Sequence, residues 1–132
     1  MSDLVVDTDV ASTILKGQLP DVLARRLAGH RLAISFVTVG ELTQWTYLHR
    51  WGPQRRAGLQ AFFASVVVLP GSFRAAMTWG EIQAAARLRG RPRPINDSWI
   101  AACCIARELP LATLNIKDYA DFAEHEGLEL VH

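Results

Sequence analysis

The chain has 132 residues, half of them hydrophobic and 20% charged, with a net charge of +1 and two cysteines. That is enough apolar material to repay the entropy of ordering one compact domain, which argues against disorder. The apolar runs are too short to cross a bilayer, the start lacks a signal-peptide pattern, and adjacent Cys103 and Cys104 exclude an ordinary disulfide framework, so a soluble, cytoplasmic protein is expected.

In chain order, Leu4–Val6 reads as a buried strand running into a polar turn, Asp7-Thr8-Asp9. Val10–Lys16 reads as a short helix closed by Gly17, and Pro20–Ala28 as a second, stopped by Gly29. Arg31–Ser35 is the next strand. Helical periods follow over Thr38–Arg50 and, after the Trp51-Gly52-Pro53 break, over Pro53–Ser65. Val66–Leu69, four apolar residues in a row, predicts a parallel strand buried on both faces.

Ser72–Arg89 reads as helix, and Gly90–Pro94 as a loop stiffened by Pro92 and Pro94. Asn96–Glu108 is a strongly apolar helix ended by Pro110. Leu111–Thr113 and Leu128–Val131 are the last strands, with a short acidic segment between them. Strands alternating with helices predict one α/β domain, with a central parallel sheet of four to five strands flanked by helices.

In such a sheet, ligands bind beyond the carboxyl ends of the strands. Asp7, Asp9, Glu41, Asp97 and Asp118 all fall where a strand gives way to the next helix or where a helix begins. Each acid alone has a plain structural explanation. Glu41 has a capping-box spacing from Thr38, Asp9 and Asp97 suit helix N-terminal dipoles, Asp7 could form a local turn, and Asp118 could be solvated. Together on one edge they repel unless a cation neutralises them, and Mg²⁺ or Mn²⁺ prefers such oxygen donors.

Charge is also segregated. Between Leu42 and Asn96 eight arginines face a single acid, Glu81, whereas seven acids face only Arg107 and Lys117 from Asp97 onward. Arginines that hold an anionic substrate beside a carboxylate site would produce this pattern; so would a solvated helix surface. The four histidines lack zinc-ligand spacing, no nucleophile elbow, P-loop or dinucleotide fingerprint is present, and the paired cysteines sit in an apolar helix as core residues.

The segments LVVDTDV, ISFVTVGEL, GRPRPINDSWIAA and ATLNIKDY, in this order, resemble the successive motifs of PIN domains over nearly the whole chain. The loop running into INDSWIAA is particularly similar to VapC-type toxins. That resemblance implies an endoribonuclease that hydrolyses RNA phosphodiesters with metal-activated water, using Mg²⁺ or Mn²⁺. It makes Asp7, Glu41 and Asp97 the principal site acids. The fourth is assigned to Asp118, the acid before an aromatic, while other members carry an Asp where this chain has Asn115. Asp9 is an additional acid or a cap, and Thr8 and Thr113 are small hydroxyl positions that orient water or carboxylates.

Arg91 and Arg93 are candidate phosphate contacts, with solvated loop charge as the alternative. Trp45 and Trp51 are candidates for stacking RNA bases, for an antitoxin or dimer contact, or for core packing. The family likeness implies a small VapB-like antitoxin, a homodimer and no membrane. LVVDTDV also resembles the first motif of haloacid-dehalogenase-like phosphatases, but only fourteen residues follow Asp118 and no later acidic pair is placed to serve. A catalytically silent PIN-like module binding RNA or protein is the third reading, and the intact acids weigh against it.

Overall fold

The computed structural model describes residues 2–132. Among these residues five strands form one sheet: β1 (Asp3–Val6), β2 (Arg31–Ser35), β3 (Val67–Leu69), β4 (Leu111–Ala112) and β5 (Leu130–Val131). Seven helices among the described residues connect them: α1 (Thr8–Leu15), α2 (Asp21–Leu27), α3 (Phe36–Leu48), α4 (Pro53–Ser65), α5 (Phe73–Leu88), α6 (Ile95–Arg107) and α7 (Ile116–Glu126). The sheet order is β3-β2-β1-β4-β5, and every neighbouring pair is parallel.

Successive strand residues point to opposite faces, and both faces are covered. Val5 and Ala33 pack into a core with Ile82, Ile100 and Phe122 from α5, α6 and α7. Leu4, Val6 and Ile34 face the other way, against Val10, Leu42 and Leu59 from α1, α3 and α4. Leu4, Val5 and Val6 have no solvent exposure, and each such side chain contributes about 1.5–3 kcal/mol by leaving water. This anchors β1 at the centre, with a carboxylate at its end.

Helices α1 and α3 begin two residues earlier than the sequence pattern predicts, because the polar residue ending each strand region caps the next helix. Asp7 accepts from the Val10 amide at 2.8 Å, so the expected turn Asp7-Thr8-Asp9 is the start of α1. Ser35 accepts from the Thr38 amide at 3.2 Å, so α3 starts directly after β2. The expected strand buried on both faces at Val66–Leu69 is instead an edge strand. It pairs only with β2, and Val68 is 41% exposed. The acidic segment between the last two strands is helix α7, whose Tyr119 and Phe122, three residues apart, share the buried face. Among the described residues no helix is long and apolar enough to cross a membrane.

The chain builds β1, β2 and β3 outward in one direction, then crosses to the opposite side of β1 for β4 and β5. The reversal falls between β1 and β4. Connections leave these two strands on opposite sides, which opens a crevice at their carboxyl ends.

Candidate metal centre

Asp7 and Thr113 mark that crevice. Asp7 is 2% exposed; its Oδ1 accepts from the Val10 amide and its Oδ2 from the Thr113 hydroxyl at 2.7 Å. Thr113 is itself held by the Asn115 amide, which donates to its Oγ1 at 2.9 Å. Burial nevertheless outweighs these hydrogen bonds and, with Asp9 and Asp97 nearby, pushes the Asp7 carboxyl from the ordinary 3.8 to about 6. The fold places a carboxylate where its charge is costly.

Glu41 does not close a capping box with Thr38, because Ser35 is the cap. Instead its Oε1 accepts from the Thr8 hydroxyl at 2.7 Å, and Thr8 lies 2.9 Å from the Thr38 hydroxyl. A buried chain of hydroxyls thus ties α1 to α3 and aims Glu41 into the crevice. Asn96 Nδ2 is 3.5 Å from its other oxygen.

Asp97 stands in the first turn of α6, half-buried, with the Tyr119 hydroxyl 3.4 Å from its Oδ1. Burial, followed by the charges of Asp118, Glu41 and Asp9, raises its carboxyl above the usual range despite the tyrosine contact. Asp118 is exposed at the rim, in the first turn of α7. Asn115 caps no amide with its side chain; its Nδ2 donates to Asp9.

Asp7, Asp9, Glu41, Asp97 and Asp118 line one cleft of about 110 Å³. Thr8, Trp45, Ile100 and Tyr119 complete its wall, so among the described residues no lysine or arginine lines it. Among the described residues, no salt bridge reaches any of these five acids. Five carboxylates without a positive partner fit a hard divalent cation, which is bound by oxygen. Among the described residues, no three of these acids bring one oxygen each within 4.8 Å of one another, so the cleft suits an ion that keeps some of its waters.

Residues 4–127 match the family described as PIN domain. The chain belongs to the PIN-domain family. Ribonuclease VapC1 of Haemophilus influenzae is 26% identical over 119 residues, which span 87% of this chain and 88% of that protein. VapBC2 from Rickettsia felis, solved bound to a DNA fragment from their promoter, superposes with a TM-score of 0.84 at 22% identity, covering 98% of this chain and 97% of that one. VapBC-5 from Mycobacterium tuberculosis gives a TM-score of 0.69 at 26% identity over 100% and 99% of the two chains. Membership of this family displaces the haloacid-dehalogenase-like alternative.

Not every site residue expected of this PIN domain points at the cleft. Arg93 is a correction: its side chain is 5% exposed and ion-paired to Asp121 and Glu126 of α7, each at 2.7 Å. Its guanidinium also lies 4.1 Å from the Phe122 ring, so it is unavailable to a phosphate. Arg56, another member of the basic middle, caps the end of α3 through the Thr46 and Trp51 carbonyls. Arg91 is exposed.

Trp45 lines both the acidic cleft and an adjoining groove of about 550 Å³, which Trp51, His49, Lys16 and Arg55 also border. The Arg55 guanidinium lies 4.1 Å over the Trp51 ring. Both tryptophans also pack partly against the core on the α1–α4 side. Cys103 and Cys104 are fully buried, and burial pushes both thiols up, as core residues require.

Tyr119 was not expected at the site. Its signal was its place beside Asp118 in an amphipathic helix that the acidic composition disguised. The sequence marks Thr38 only as a candidate cap; its contact with Thr8 depends on an approach across thirty positions.

Proposed function

We propose that the chain is a divalent-metal-dependent endoribonuclease of the VapC type, the toxin of a toxin–antitoxin pair. The observation that carries this reading is the cleft of five carboxylates, without a positive partner, at the sheet's switch point. The likeness to Ribonuclease VapC1 along most of both chains supports RNA as substrate.

In this reading Asp7, Asp97 and Asp118 hold Mg²⁺ or Mn²⁺, directly or through waters that the ion keeps. Thr113 and the Val10 amide each occupy one lone pair on the two Asp7 oxygens, which fixes the carboxylate's plane and leaves lone pairs for an ion. Thr8 fixes one Glu41 oxygen, and the other, with only the long Asn96 contact, accepts a proton from the hydrolytic water or joins the ion's ligands. When bound, the ion supplies Lewis acidity toward water and the phosphodiester. No covalent nucleophile is required. The test is RNA cleavage by purified protein: cleavage in Mg²⁺ and none in excess chelator are expected.

Arg91 is the loop arginine left to meet RNA. A phosphate contact on a single strand adds about 0.7 to the slope of log affinity against log salt. Arg91→Ala is expected to weaken binding to unrelated RNA sequences alike and flatten the slope by that amount, with turnover at saturating RNA little changed. An unaltered slope would return Arg91 to the solvated surface.

The groove beside the cleft supports an antitoxin partner. Trp45 and Trp51 offer apolar anchorage there, and the acids beside them suit a basic side chain from the partner. The neighbouring VapBC structures are of toxin–antitoxin systems. A homodimer belongs to the same reading: Phe73 and Met77, one turn apart on α5, are 81% and 52% exposed. A monomer in sedimentation equilibrium would remove the dimer.

A further inference from the structure

Arg93 is among the most enclosed charged side chains of a loop that is otherwise exposed, and it lies four residues before Asp97. Its Nε and Nη2 meet Asp121 Oδ2, its Nη1 meets Glu126 Oε1 at 2.7 Å, and Nη2 also donates to the Asp121 carbonyl at 3.3 Å. The ring of Phe122 lies beneath the guanidinium. All of these partners are on α7. The fork of a guanidinium satisfies two carboxylates, a carbonyl and an aromatic face in one geometry, which an ammonium cannot do.

Beyond Pro94, α6 begins; the Pro94 carbonyl accepts from both the Ser98 amide at 3.1 Å and the Ser98 hydroxyl at 2.7 Å. Little slack therefore separates the Arg93 grip from the first turn of α6. Nearer the start of α7, two residues before Asp121, the Tyr119 hydroxyl approaches Asp97. Helix α7 is thus held at two points to the segment that opens α6, while the charges of Asp97 and Asp118 push the two helix starts apart.

We propose that Arg93 is a positioning residue, whose grip on α7 sets the separation of Asp97 and Asp118 across the cleft and hence its affinity for a divalent ion. The inference rests on the metal-site reading. It also accounts for Asp121, whose donor atom lies within 4.8 Å of those of Glu124 and His125. Asp121 is already engaged by Arg93, by Arg89 at 3.6 Å and by His125 at 3.3 Å, so it serves as the anchor of the clamp.

The experiment is Mn²⁺ binding, followed by the electron paramagnetic resonance of free Mn²⁺, for wild type, Arg93→Ala, Arg93→Lys and Asp121→Asn. Circular dichroism first fixes a temperature at which each is folded. Outer partners of metal ligands typically govern affinity by 10–100-fold, so the dissociation constant is expected to rise about tenfold in Asp121→Asn and at least that in Arg93→Ala. Arg93→Lys, which keeps the charge and loses the fork, falls between wild type and Arg93→Ala. The Mn²⁺ concentration that half-saturates kcat rises in parallel, and KM for RNA does not move. If Arg93→Ala fails to fold, the other two variants carry the test. Folded variants that bind Mn²⁺ as wild type does would overturn the clamp alone. A wild-type protein that binds no Mn²⁺ would overturn the metal-site reading and the clamp with it.

Discussion

Asp97→Asn and Asp7→Asn are each expected to lower RNA cleavage about a thousandfold or more, since a metal's charge stabilisation is worth several kcal/mol and each 1.36 kcal/mol is tenfold in rate. An amide keeps the shape of the carboxylate and can still accept from the Val10 amide as a helix cap, but it binds a hard cation poorly. The Asp7 variant has a second expected property that separates lost chemistry from lost structure. Its carboxyl is raised by burial from 3.8 to about 6 in the folded protein. The folded state therefore binds this proton more tightly than the unfolded state does. The associated stability is complete below about pH 4 and disappears as pH rises through about 6. Above that, the ionised, metal-free site carries a cost of about 3 kcal/mol, from 1.36 kcal/mol for each unit of pKa. Asn cannot ionise. Metal-free Asp7→Asn should consequently melt above wild type near neutral pH, with the gap closing toward pH 4, and Mg²⁺ should raise the Tm of wild type only. Melting curves across this pH range decide it. A lower Tm for the metal-free variant at neutral pH would mean that the Asp7 charge supports the fold.

Expression of the wild-type chain alone is expected to arrest bacterial growth, and Asp97→Asn at matched soluble level is expected to permit it. The cleft and the fold supply the reason, since an RNA hydrolase without its inhibitor acts on the host's own RNA. Co-expression of a small antitoxin recognising the Trp45–Trp51 groove should restore growth to wild-type cells. Colony counts with each plasmid, alongside immunoblots of soluble protein, read the effect. Growth undisturbed by soluble wild-type protein would remove the toxin part of the reading and leave the nuclease part standing.

The parts of this molecule legible in the sequence are those specified locally. Leu4–Val6 followed by Asp7 reads as a buried strand ending in a carboxylate because apolar run and polar stop are adjacent, and the structure keeps both. The gathering of Asp7, Glu41, Asp97 and Asp118 on one edge followed from strand–helix alternation alone, since that alternation brings strand ends and helix starts to the same side. The residues that were misread or left open depend on distant partners. Arg93 reads as a phosphate contact or a solvated loop charge until α7 brings Asp121 and Glu126 beside it, 28 and 33 positions away. Glu41 reads as a site acid with a capping box as its structural alternative, and the Ser35 cap and the Thr8 contact from α1 set that alternative aside. Val66–Leu69 is as apolar as an interior strand, and only the sheet order makes it an edge. The stacked Trp79 and Trp99, 4.8 Å apart on α5 and α6, likewise leave no local mark.

The central claim is that the acids of the cleft act through a divalent ion. Its most direct test is RNA cleavage by a single preparation of wild-type protein, stripped with EDTA, dialysed, and assayed before and after addition of Mg²⁺ or Mn²⁺, with Asp97→Asn carried through the same steps to expose any contaminating nuclease. No cleavage by stripped protein, recovery on adding either ion, and silence from Asp97→Asn throughout is the expected result. Undiminished cleavage by stripped wild-type protein in excess EDTA, absent from the Asp97→Asn preparation, would contradict it.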